Sequence, residues 1–122
     1  MATVNLTGEN FNETIGQGGI VLVEFFAPWC PHCKSFTPVF EAASEKHPDI
    51  VFGLVDTSEQ QELAQHYNIR GVPTVAAFRD GLGVYQQPGA LTAEQIEALI
   101  EKVSELNMDD VRRELENQKS DE

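Results

Sequence analysis

Cysteine is scarce in this sequence: 122 residues contain two, Cys30 and Cys33, with only two residues between them. A loop so short removes little freedom from the unfolded chain, which excludes a disulfide-stapled scaffold. A paired-cysteine zinc site is disfavoured as well, because it needs about four ligands and there is no second pair; a zinc assay would expose one. The histidines, His32, His47 and His66, do not reproduce a finger spacing. Basic residues are few, 8 against 20 acidic ones, for a formal charge of -12. That balance lacks the basic patch that nucleic acid or an anionic lipid surface requires. Long apolar runs are missing too, since none approaches the roughly 18 residues of a membrane span. Residues 1–11 show neither the basic start nor the apolar stretch of a secretory signal, and the chain closes on Lys119-Ser120-Asp121-Glu122 rather than a retrieval signal. The expectation is a cytoplasmic monomer that binds neither nucleic acid nor membrane.

What is present suits one ordinary globular core, with 41% apolar residues. Residues 4–6 form a short strand candidate, followed by a brief helix capped by Thr7 or Asn10 and ending near Gly16. Residues 20–26 are an almost continuous apolar run, as in a strand covered on both faces, interrupted by Glu24. Beyond the cysteines the period changes: Phe36, Phe40, Ala43 and His47, with Val39 alongside, form a helical stripe that contains Pro38. A strand over 50–55 and a helix over 58–67 follow, the latter with Leu63 and Ala64 inward and a capping-box pattern of Ser58 and Gln61. Residues 75–78 and 83–87 read as a hairpin across Asp80-Gly81. Thr92 caps a last helix of the core, with Ile96, Leu99, Ile100 and Val103 facing inward. Alternating strands and helices followed by a hairpin predict an α/β fold, a central mixed sheet with helices on both faces. From Asn107, the spacing of Met108, Val111 and Leu115 among charged residues adds a weakly amphipathic helix and a polar tail. It lies back on the fold or frays beyond it, or else serves a partner.

Two cysteines at the head of a helix, with Trp29 and His32 beside them, point to redox chemistry rather than packing. Glu24-Phe25-Phe26-Ala27-Pro28-Trp29-Cys30-Pro31-His32-Cys33-Lys34, with Pro38, Gly71-Val72-Pro73-Thr74 and the Gly89-Ala90-Leu91 turn, resembles the thioredoxin family over about residues 3 to 105. Two features depart from ordinary thioredoxin. Pro31-His32 is similar to the dipeptide of DsbA-type oxidases, and Glu24 with Ala27-Pro28-Trp29-Cys30 resembles the catalytic domains of protein disulfide isomerase. A full DsbA match fails, because Cys33 and Pro73 stand too close in sequence for that family's helical insert. The resemblance implies a thioredoxin fold over 1–106, and the charged residues from Asn107 make 107–122 an acidic C-terminal helical extension.

It further implies a thiol–disulfide oxidoreductase with no cofactor beyond the Cys30–Cys33 pair. Cys30 is then an exposed attacking thiol whose thiolate the helix N-terminus favours, and Cys33 the resolving thiol. Pro31 sets the helix start, and a charged His32 imidazole stabilises the Cys30 thiolate. That makes the pair more oxidising than the roughly -270 mV of thioredoxin and less so than the roughly -120 mV of the strongest oxidants. Glu24 is either an exposed edge residue or a desolvated carboxylate that exchanges a proton with Cys33 through a water. The lysine that assists this acid in thioredoxin falls at Gly53 by the resemblance. Pro73 is either a turn proline or the cis proline facing the cysteines. Trp29, Val72, Gly89 and Ala90 form the substrate-contact surface, unless Trp29 fills the core. Disulfide-bearing proteins are the implied substrates and a flavoprotein thioredoxin reductase the implied electron donor. An oxidase or isomerase of an oxidising compartment, or a redox-silent binding module, are the other roles open.

Overall fold

A computed structural model describes the backbone of residues 2–120 and the side chains of residues 2–116. Its centre is β2 (Ile20–Phe26), whose residues Val21, Leu22, Val23 and Phe25 are almost wholly buried. Burying one such side chain contributes about 1.5–3 kcal/mol, so this apolar run fixes where the sheet lies. β1 (Thr3–Asn5) and β3 (Val51–Asp56) run parallel to β2, with β3 between them. β4 (Thr74–Arg79) pairs antiparallel with the other edge of β2, and β5 (Leu82–Pro88) closes the order β1-β3-β2-β4-β5. Asp80 and Gly81 both take positive φ, 53° and 83°, which matches the twist that a tight hairpin needs.

Alternation along β2 divides the core. Leu22 packs on one face with Phe36, Phe40, Phe52 and Ile96, beneath α2 (Pro31–Lys46) and α4 (Ala93–Glu105). Val21, Val23 and Phe25 join Phe11, Ile15 and Phe78 on the other, beneath α1 (Phe11–Gly16) and α3 (Gln61–His66). The stripe expected on α4 is buried, and on α2 Phe36, Phe40 and Ala43 are buried while Val39 and His47 are half-buried. His47 caps α2 and its Nε2 meets both carboxylate oxygens of Glu97, at 2.8 and 2.9 Å, tying α2 to α4. Thr92 and Gln95 form the capping box of α4.

The start of α3 differs from the sequence expectation. Ser58 does not cap it: the Ser58 hydroxyl and N–H both donate to Asp56 Oδ1, and the helix begins at Gln61. A serine so placed prefers the local turn to the more distant helix. α5 (Met108–Ser120) starts where Asn107 Oδ1 accepts the N–H groups of Asp109 and Asp110. Met108 is buried, so the start of α5 is seated on the fold, while the polar tail expected at 121–122 lies outside the described residues. Arg79 Nη1 donates to the carbonyls of Val103, Ser104 and Leu106 at 2.8, 3.1 and 2.7 Å, satisfying the end of α4.

Gly53 is needed because β3 passes close under Leu6. A Cβ there would overlap Leu6 Cδ1 and stand 2.9 Å from its Cγ. Gly53→Ala is expected to lower the unfolding free energy by about 1–3 kcal/mol, read as a fall in the urea midpoint at unchanged slope.

Candidate active site

The cysteines sit where β2 gives way to α2. Cys30 is the N-cap of α2, extended at φ -88° and ψ 114°, with Pro31 in the first turn. Its Sγ accepts the Cys33 N–H at 3.2 Å, so sulfur does the work usually done by a serine or aspartate oxygen. Cys30 and Cys33 are joined as a disulfide with Cα atoms 5.2 Å apart. Three features of this arrangement favour negative charge on Cys30 once the bond is reduced: an N–H aimed at sulfur, unsatisfied helix N–H groups, and the positive end of the helix dipole.

Exposure runs against the sequence expectation. Cys30 is only 3% exposed, whereas Trp29 stands 72% exposed. The physical reason is a cover from a distant segment: the Val72 carbonyl oxygen lies 3.6 Å from Cys30 Sγ, and Ala27, Cys33 and Phe26 pack in the same cluster. Trp29 therefore is not core filling. It projects from the rim of the site.

The Val72-Pro73 peptide bond is cis and faces the cysteines. Pro73 is buried, and its carbonyl accepts the N–H of Gly89 at 2.8 Å, which brings the Gly89-Ala90 turn beside it. Gly89 has φ 108°, a conformation that side-chain-bearing residues rarely adopt. Thr74 Oγ1 donates to the Gly71 carbonyl at 2.7 Å and braces the loop from below, a contact that sequence reasoning did not single out. Trp29, Val72, Gly89 and Ala90 thus share the same end of the sheet as the disulfide. His32 and Lys34 are exposed in the first turn of α2.

Glu24 is no edge residue. It lies in the central strand with no exposed surface, next to Leu54 of β3 and Val75 of β4. Burial pushes its carboxyl up to about 7, opposed by a hydrogen bond from Thr37 and reinforced by the nearby Glu41. The position beside it on β3 is Leu54, not Gly53. Gly53 pairs with Val23 and faces Leu6 on the opposite side of the sheet, one residue out of phase. Among the described residues no basic side chain forms an ion pair with this carboxylate.

The Thioredoxin family model matches residues 2–102. The chain belongs to the thioredoxin family. A thioredoxin 2 assignment in Streptomyces coelicolor is 44% identical over 119 residues, covering 98% of this chain and 89% of that protein. Protein disulfide-isomerase A4 of Rattus norvegicus is 43% identical over 83 residues, 65% of this chain but only 13% of that much longer protein. Among solved structures, a thioredoxin variant from Halobacterium salinarum superposes with a TM-score of 0.79 at 32% identity, covering 86% of this chain and 93% of that one. The five-stranded mixed sheet and its flanking helices are the thioredoxin fold, and Cys30–Cys33 is its redox-active pair. The activity is thiol–disulfide exchange, and the family takes protein disulfides as substrates. No helix among the described residues is long and apolar enough to cross a membrane.

Proposed function

We propose that this thioredoxin-family protein exchanges disulfides with protein substrates through Cys30, and that His32 makes its pair more oxidising than that of ordinary thioredoxin. The observation that carries the first part is Cys30 as a sulfur N-cap, holding the Cys33 N–H at 3.2 Å. In the reducing direction the Cys30 thiolate attacks a substrate sulfur. A bond forms between them, the substrate disulfide breaks, and the other substrate sulfur leaves as a thiolate. Cys33 then gives its proton to the Glu24 carboxylate through a water and attacks Cys30 Sγ. The Cys30–Cys33 disulfide forms and the second substrate thiolate leaves, so two electrons have passed to the substrate. Trp29, Val72, Gly89 and Ala90 supply the contact surface around the sulfur, and Pro73 holds Val72 against it. A flavoprotein thioredoxin reductase is the proposed donor that restores the dithiol, in a cytoplasmic setting.

His32 stands exposed in the first turn of α2, one residue from each of Pro31 and Cys33. A protonated imidazole there stabilises the thiolate and with it the reduced state. His32→Leu is expected to lower the potential of the pair by about 30 mV, a tenfold change in the equilibrium constant, as read by equilibration with glutathione. An unchanged potential contradicts the tuning role. The likeness to Protein disulfide-isomerase A4 favours a second reading, oxidation or isomerisation of substrates in an oxidising compartment. Recovery of activity from scrambled ribonuclease in an oxidised glutathione buffer supports that reading, and reduction of insulin without such recovery supports the first.

A further inference from the structure

Five hydroxyl side chains lie within helices among the described residues, and four of them bond back to a carbonyl of their own helix. Thr14 donates to Asn10, Ser35 to Pro31, Ser44 to Glu41 and Ser104 to Ile100. Thr37 alone reaches another element: its Oγ1 donates to Glu24 Oε2 on β2, at 2.8 Å. It sits four residues after Cys33, hence on the same face of α2 as the resolving cysteine. The other oxygen of the carboxylate, Oε1, is buried and has no hydrogen-bond partner.

We infer that Thr37 is the positioning residue of the buried acid: its hydroxyl anchors Oε2 to the helix that carries Cys33 and leaves Oε1 as the oxygen that exchanges the proton. This deepens the proposed role of Glu24 and rests on it. A carboxylate on a buried strand has two equivalent oxygens and a rotatable end. One fixed donor removes that equivalence and ties the acid to α2, so that acid and thiol are held by one rigid element. Because a hydroxyl donates more strongly to the ionised carboxylate than to the neutral acid, the same bond offsets part of the burial effect on Glu24. Glu41, one turn beyond Thr37 on α2, is the charged group acting against it, and the strand neighbours Leu54 and Val75 are apolar.

The test compares Thr37→Val, which keeps the shape and loses the hydroxyl, with Thr37→Ser, which keeps the hydroxyl. The first readout is the titration of the Glu24 carboxyl carbon by NMR, which needs no substrate. Thr37→Val is expected to raise the midpoint by about one pH unit, while Thr37→Ser stays at the wild-type value. The second readout is the pH profile of mixed-disulfide resolution, whose midpoint is expected to move in step with the first. An unmoved carboxyl midpoint in Thr37→Val overturns the inference, as does a serine variant that behaves like valine. Thr37→Ala serves if the valine variant does not fold. If Glu24→Gln leaves the resolution rate and its pH dependence intact, the proton-exchange role of Glu24 fails instead, and the carboxyl titration still decides whether Thr37 anchors it.

Discussion

Cys30→Ser is expected to abolish disulfide reduction, whereas Cys33→Ser still attacks but stops at a mixed disulfide. The two cysteines share one disulfide and nearly equal burial, so the difference lies in their places on the helix. Cys30 caps α2 and receives the Cys33 N–H, which favours its thiolate. Cys33 lies inside the first turn and offers its backbone as donor. Serine at 30 keeps a capping oxygen and the fold, but its hydroxyl is far too weak an acid to be the nucleophile near neutral pH. The rate of insulin reduction should fall about a thousandfold or more, in the range seen when an enzyme loses its nucleophile. Cys33→Ser should instead accumulate a covalent adduct with insulin chains, visible by intact-protein mass spectrometry. Adducts in Cys30→Ser and none in Cys33→Ser would reverse the assignment. Equal activity of wild type and Cys30→Ser would leave only a binding module.

Glu24→Gln is expected to stabilise the protein at pH 8 and to leave it nearly unchanged near pH 4. The folded carboxyl is pushed up to about 7 from an ordinary 4.5, burial being the main cause. Between those values the folded protein holds a proton that the unfolded chain has released. Stability from this group is therefore fully present below about pH 4.5, falls as pH rises, and is lost above about 7. The shift corresponds to an energy on the order of 3 kcal/mol. Glutamine keeps the size and an acceptor for Thr37 while removing the charge. The difference in unfolding free energy between variant and wild type should accordingly rise from near zero at pH 4.5 towards that figure at pH 8, as measured by urea denaturation across the range. A difference that stays flat with pH contradicts a buried acid of raised pKa. A carboxyl that ionises near neutrality is suited to exchange protons with a thiol, the role proposed for Glu24.

Much of this was legible in the sequence, and the parts that were not have identifiable physical causes. The seven-residue run of β2 and the inward stripe of α4 are periodic and strongly apolar, so their burial follows directly. The hairpin at Asp80-Gly81 declares itself by residue type. Failures came where a distant partner decides. The burial of Cys30 depends on the Val72 carbonyl, 42 residues away, and no local pattern carries it. That Glu24 stands beside Leu54 is likewise set by the register of β3 against β2 across the whole sheet, where a slip of one turns every side chain to the other face. Ser58 had the pattern of a cap, yet its hydroxyl and N–H are turned to Asp56 Oδ1 in a local turn, and the helix begins only at Gln61. Thr37 gave one weak sign, a hydroxyl one turn from a cysteine on a helix. Its partner 13 residues earlier appears only in the fold.

The redox potential of the Cys30–Cys33 pair in the wild-type protein tests the account most directly. Equilibration against glutathione buffers, with the reduced and oxidised forms separated by thiol alkylation, is expected to give a value between about -270 and -120 mV. A value at or below about -270 mV would contradict a site in which a capped Cys30 thiolate and the neighbouring His32 favour the reduced state.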